Sequence, residues 1–284
     1  MINKFWLIST DHLENSLWFK DEEDFKAGMN FVAILAAVSP ILVMAFSLMS
    51  NHVHFVLQGV RTDAKDFVNQ FKKQYAQYCY NKYGTRELLR RNRLDIKELR
   101  LDDESFERAV AYVQMNPVAA NICLHSTGYK WGTGNTFFNM NKVKGTQIKD
   151  LGVRESVRLL HSKARLPGEY VVSDNGIIDP ASYIPVKFVE SVFKSPNRMN
   201  YFLTNSSKAK RVKDAPSFND QLVSLGAKDL CISVFKKKTP SDLTEPELSE
   251  LFKQLRYRFS ADPAQIARVT GFTYQTVATL LEKI

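Results

Sequence analysis

Two histidines one residue apart, and a tyrosine on the amphipathic segment that follows, are the residues of this sequence best suited to chemistry. His52 and His54 lie in Met49-Ser50-Asn51-His52-Val53-His54-Phe55-Val56-Leu57, a run that reads as a β-strand, where successive side chains leave opposite faces. The imidazoles then share one face, roughly 6.6 Å apart along the strand, while Val53, Phe55 and Leu57 take the other. Both can converge on one metal ion. An edge-strand pair satisfied by hydrogen bonds alone has the same spelling, and two ligands leave a site incomplete, since open catalytic centres usually have three. Tyr75 follows on a helical stripe with Phe67, Phe71 and Tyr78. By spacing alone that stripe is core. Lys72, Lys73 and Lys82 occupy adjoining faces, where they either touch phosphates or face water.

The elements that must position these groups are legible from periodicity and punctuation. Lys4 to Ser9 reads as a first strand. Asp21-Glu22-Glu23-Asp24 opens a helix carrying Phe25, Met29, Val32 and Leu35 at helical spacing, and Pro40 stops it. Ile41 to Leu48 and His52 to Leu57 read as strands, the latter ending at Gly59. A helix follows Arg61-Thr62-Asp63 and runs to Gly84; the basic segment Arg86 to Arg100, with Arg90 and Arg91, comes next. The spacing predicts a further helix from Glu104 to Met115, ended by Asn116-Pro117. This order suits an α+β fold of the split βαβ kind.

Beyond it, Asn139 to Gly152 is polar and reads as a linker. Ser173-Asp174-Asn175-Gly176 marks a hairpin turn, and Ser191 to Lys213 carries six cations, Lys208 among them, and no acid, a segment that either tracks phosphates or is a solvated loop. The last part reads as three helices: Thr244 and Pro246 start the first, Asp262-Pro263 the second, which Gly271 ends, and Thr273 caps the third. The short turn between the last two has helix-turn-helix spacing, which would put Tyr274, Gln275 and Thr276 at the start of a recognition helix.

At 284 residues, 44% hydrophobic and 24% charged, the chain is globular, with room for one large domain or two. Cys79, Cys123 and Cys231 are far apart and form no C-x-x-C pair, which argues against a disulfide framework or a cysteine zinc site and for a reducing, cytoplasmic setting. The net charge of +9 favours polyanionic partners, nucleic acid first. Ala27 to Asn51 is uncharged and long enough to span a bilayer. Ser39-Pro40 interrupts it, no basic cluster flanks it, and a period of two begins directly after, so a buried helix joined to a buried strand is expected, with no membrane partner. The start, Met1-Ile2-Asn3-Lys4-Phe5, lacks the basic n-region of a signal peptide.

Four motifs in order resemble those of the single-tyrosine HUH endonucleases, in particular the REP-associated tyrosine transposases. Met49 to Leu57 resembles the M-P-N-H-V-H signature. Phe71-Lys72-Lys73-Gln74-Tyr75-Ala76-Gln77-Tyr78 with Tyr83-Gly84 resembles the nucleophile helix, Tyr112-Val113-Gln114-Met115-Asn116-Pro117-Val118-Ala119-Ala120 the Y-I-x-x-N-P-V-x-A segment, and Tyr129-Lys130-Trp131 the Y-x-W.

The resemblance implies a ferredoxin-like palm over residues 1–138, an antiparallel sheet with helices on one face. A linker and accessory basic region over 139–240 and a helix-turn-helix tail over 241–284 would follow. His52 and His54 would hold Mg²⁺ or Mn²⁺, and Tyr75, with Tyr78 one turn on as the competing candidate, would attack a phosphodiester of single-stranded or hairpin DNA, leaving a 5′-phosphotyrosine that permits rejoining. Lys72, Lys73, Arg90, Arg91, Tyr274, Gln275 and Thr276 would contact DNA, the last three on duplex. Relatives occur as monomers and homodimers. Two departures stand out. Relatives can take a third metal ligand one turn beyond the tyrosine, and here that position is Cys79, a soft ligand poorly matched to Mg²⁺. The family's G-x-L-W segment is replaced by Leu88-Leu89-Arg90-Arg91-Asn92. A domesticated, non-cleaving, sequence-specific DNA-binding protein is the alternative these departures favour.

Overall fold

A computed structural model describes residues 3–11, 16–84, 92–141, 143–209 and 218–282. The first part alternates β1 (Lys4–Thr10), α1 (Glu22–Val38), β2 (Leu42–Met49), β3 (His52–Gly59), α2 (Arg61–Tyr83), β4 (Leu94–Leu99) and α3 (Ser105–Ala119). The strands form one antiparallel sheet in the order β2-β3-β1-β4. Units β1-α1-β2 and β3-α2-β4 are therefore interleaved, each lending a strand to the centre. Asp21 caps α1 by accepting the Asp24 N–H, and three acids in its first turn face the positive end of the helix dipole. Gly84, at φ 72°, ends α2 in the left-handed region where glycine is unstrained.

The long uncharged stretch is divided between α1 and β2, and most of it is buried, with Val38, Pro40 and Leu42 exposed around the connection. Among the described residues no helix is long and apolar enough to cross a membrane.

Alternation along β3 sorts the helices onto two faces. The Phe55 ring packs on Phe67 and Phe71 of α2, with centroids 5.7 and 5.6 Å apart. On the opposite face the rings of His54 and of Phe5 of β1 meet Tyr112 and Phe106 of α3. The expectation of helices on one face thus needs correction. The second face also carries buried apolar groups, Phe5 and Val56 among them, and these need cover from water.

A second correction concerns the end of α3, which continues to Ala119 with Pro117 inside it. Proline forfeits one backbone bond and crowds the turn before it. So near the helix end that loss is small, and the Asn116 side chain ties the last turn by donating to the Tyr112 carbonyl at 2.8 Å.

Residues 145–204 build β5 (Gly145–Gln147), α4 (Val153–Leu160), β6 (Val171–Ser173), α5 (Val186–Phe193) and α6 (Pro196–Thr204). The turn at Ser173 to Gly176 forms, with Gly176 at φ 76° and its N–H on the Ser173 carbonyl. Its upstream strand, β6, pairs with β5. Leu160, Ile178, Val189, Phe193 and Phe202 bury themselves in the same core as the sheet. A separate core joins α7 (Asp220–Ser233), α8 (Glu245–Phe259), α9 (Pro263–Thr270) and α10 (Tyr274–Glu282) through Val223, Leu251, Phe252, Ile266 and Val277. Thr244 with Glu247, Asp262 with Pro263, and Gly271 punctuate these helices where their residue types require.

Candidate active site

The two histidines begin β3 immediately after the turn from β2 and are 5% and 1% exposed, so the expected shared face is formed. Their rings stand perpendicular, centroids 4.7 Å apart. Each Nδ1 is engaged by a neighbour: His54 with the Ser9 hydroxyl and His52 with the Asn51 side-chain oxygen, both at 2.8 Å. An amide oxygen only accepts, so His52 donates from Nδ1, and in the neutral ring Nε2 would then carry the lone pair. Such support orients metal-binding imidazoles. The turn itself is fixed from behind. Trp18 and Phe19 donate backbone N–H groups to the Ser50 carbonyl, and the Ser50 hydroxyl donates to the Asp220 carboxylate.

Tyr75 is not brought to this pair. The apolar stripe of α2 covers the Phe55 face of β3, and Tyr75 belongs to that stripe. It is fully buried, stacked between Phe71 and Trp18 with Phe19 alongside, and its hydroxyl donates to the Trp18 carbonyl. Burial, and then the nearby charge of Asp24, pushes its phenol well above the ordinary tyrosine value. Cys79 shares the same packed layer, and burial raises its thiol to about 11.

The phenol beside the histidines belongs to Tyr112 of α3. Its half-buried ring meets the His54 ring edge-on, centroids 5.4 Å apart, and the Lys208 ammonium lies 5.0 Å from the Tyr112 centroid. Asn116 follows one helical turn later, 4% exposed, where i and i+4 side chains share a face. Both residues belong to the segment that resembles Y-I-x-x-N-P-V-x-A, and the sequence alone assigns neither a role. The alternation of β3 separates a Phe55 face, which the α2 aromatics cover, from a His54 face, which α3 covers, but it does not say which helix takes which face.

The remaining predicted contacts are scattered. Lys72 donates to the Asn92 carbonyl and is half-buried, which lowers its pKa; Lys73 is exposed. Arg90 and Arg91 lie outside the described residues. Tyr274 and Gln275 are exposed at the start of α10, and Thr276 sits beside them, its N–H and hydroxyl bonded to the Thr273 hydroxyl. Tyr129 and Trp131 serve the sheet. The Tyr129 hydroxyl donates to the Leu48 carbonyl at 2.6 Å and the Trp131 carbonyl accepts the Leu48 N–H at 2.8 Å, extending β2 along its outer edge.

No family model and no curated protein matches the chain. One solved structure is similar. It is a REP-associated tyrosine transposase bound to a REP hairpin, 15% identical, covering 46% of this chain and 77% of that one at a TM-score of 0.40. A likeness so loose carries no functional argument, which rests on the geometry of this chain's own residues.

That geometry bears on whether an ion fits. Among the described residues no group of three or more His, Cys, Asp or Glu side chains is placed to share one. Imidazole is the ligand of Zn²⁺, Fe²⁺ or Ni²⁺, whereas Mg²⁺ and Mn²⁺ take mainly oxygen, so a hard ion at this pair would need oxygen ligands from outside it to complete its sphere.

Proposed function

We propose that this protein cleaves and rejoins single-stranded or hairpin DNA in a metal-dependent reaction of the single-tyrosine HUH type, with Tyr112 as the nucleophile. The observation that carries this reading is the edge-on contact of the Tyr112 ring with His54, beside a paired His52, on the α3 face of the sheet. In this reading the interleaved units form the ferredoxin-like palm that the motifs imply. His52 and His54 would hold the ion, and Asn116, one turn from Tyr112, would be the candidate for the hard oxygen that Cys79 cannot supply. The ion, when bound, polarises the phosphate and stabilises charge developing on it.

A phenol titrates at about 10 and is a weak nucleophile at neutral pH, so the arrangement must bring it close and hold it there. The Tyr112 oxygen bonds to phosphorus and gives up its proton to solvent. The bond to the 3′ oxygen breaks, and that oxygen leaves as a hydroxyl after taking a proton. One ester replaces another, so the phosphotyrosine can be reversed by an incoming 3′-hydroxyl. The exposed Tyr274 and Gln275, with Thr276, read as the duplex-contacting end of the α9–α10 pair.

The test is incubation of the full chain with labelled hairpin and single-stranded DNAs and Mn²⁺, followed by a search for a protease-sensitive adduct. The expected result is an adduct that Tyr112→Phe abolishes, His54→Ala suppresses and Tyr75→Phe leaves in place. Binding without any adduct across a varied hairpin set would overturn the cleavage chemistry and favour the non-cleaving DNA-binding alternative. For the tail, Tyr274→Ala with Gln275→Ala is expected to weaken duplex affinity and spare the adduct. Truncation before Thr244 is a poorer probe, because α7 buries Val223 and Leu230 against the helices that would be removed.

A further inference from the structure

Lys208 comes from a part of the chain far from the histidine hairpin, yet it meets the same Tyr112 ring that His54 meets. How it arrives there is built into the packing of α6 beside α3. Arg198 reaches the carboxylates of Glu104 and Glu107 at 3.2 and 3.3 Å, and Glu107 is 3% exposed. The Phe202 ring lies under the guanidinium groups of both Arg198 and Arg108. The segment thus runs alongside α3 in the same direction, Arg198 at Glu104 and Glu107, Phe202 at Arg108, and finally Lys208 at Tyr112. Past the end of α6 a tight turn on the buried Ser206, whose hydroxyl and carbonyl accept the N–H groups of Lys208 and Ala209, sets the direction of the lysine.

We propose that Lys208 is a DNA-phosphate ligand of the Tyr112 site, holding a phosphate oxygen at the position where Tyr112 attacks; the inference rests on the site proposed above. The chemistry calls for such a group. Phosphoryl transfer is catalysed mainly by positioning and by cations that meet the charge on the phosphate oxygens, and a lysine serves as a point charge for phosphate. Half-burial of the side chain strengthens that attraction relative to a fully solvated cation. A domain ending at residue 138 would lack this group.

The test needs neither metal nor turnover. Affinity of the full chain for a mixed-sequence single-stranded 20-mer is measured in EDTA over a salt series, where each phosphate contact contributes a slope of about 0.7 in log–log form. Lys208→Met and Lys208→Gln are each expected to lower the slope by about 0.7, Lys208→Arg to retain it, and Lys26→Met, on α1 across the sheet, to leave it unchanged. Equal slopes for Lys208→Met, Lys208→Gln and Lys26→Met would overturn the proposal even if Tyr112 proved to be the nucleophile. Conversely, a missing adduct with the slope change intact would remove the cleavage reading and keep the phosphate ligand. Where cleavage occurs, Lys208→Met is expected to slow it by about 100-fold at saturating DNA.

Discussion

The two faces of the sheet each hold a tyrosine, and the two are built to opposite ends. On the α2 face Tyr75 is enclosed by Trp18, Phe19, Phe71 and Tyr78 with its hydroxyl spent on a backbone carbonyl. On the α3 face Tyr112 is half-buried against an imidazole and an ammonium. A phenol in an aromatic core resists ionisation, whereas one at the edge of a polar pair can meet a charged substrate. Each face also anchors a buried carboxylate with a cation: Lys82 reaches Asp24 at 2.8 Å, Arg198 reaches Glu107. Asp24 is further served by the hydroxyls of Tyr78 and Tyr83 and the Lys20 N–H. The α2 face is therefore the more redundantly fixed, and the α3 face depends on fewer contacts around its polar groups.

Substitutions can sharpen or break this contrast. The largest stability effect is expected for Phe71→Ala, a loss of about 3–5 kcal/mol in urea unfolding, because a fully buried ring leaves a cavity. Arg198→Ala comes next. It strands the buried Glu107, and since Arg198 is itself part-exposed the cost is about 1–2 kcal/mol, with a reduced single-strand salt slope as Lys208 loses its anchor.

Tyr75→Phe follows at about 1–2 kcal/mol near neutrality, the cost of leaving the buried Trp18 carbonyl without its donor. This deficit should shrink with alkali. A phenol whose folded pKa is raised contributes stability that is complete below the unfolded value of about 10 and drains as pH rises through the folded value. Unfolding curves at neutral and alkaline pH would show the two proteins converging; a constant gap would contradict burial of an ionisable Tyr75. The smallest effect is expected for Tyr112→Phe, within about 0.5 kcal/mol of wild type, and a loss comparable to Phe71→Ala would show that Tyr112 is core as well.

The sheet and its connecting helices were legible because their signals are local: acids before α1, proline after it, Gly84 ending α2, and unbroken alternation in β3. Pro117 misled, since a proline near the end of a helix costs little and reads like a stop. The histidine pair was legible for the same local reason. Which tyrosine lies on the histidine face was not, because helical spacing shows which residues share a stripe and does not say which face of a sheet the stripe will cover. Phe67 and Phe71 commit α2 to the Phe55 face, and Tyr75 goes with them. Lys208 was legible only as one cation of a basic segment, and its position beside Tyr112 was not. Its place depends on pairing between α6 and α3, a contact of long sequence separation that no periodicity announces.

Mass spectrometry of the trypsin-digested DNA adduct tests the central assignment most directly. Trypsin places Tyr112 in the peptide Ala109 to Lys130 and Tyr75 in Gln74 to Lys82. The expected result is a nucleotide on the first peptide, with fragmentation locating it at Tyr112 and not Tyr129. A nucleotide on Gln74 to Lys82 would contradict it.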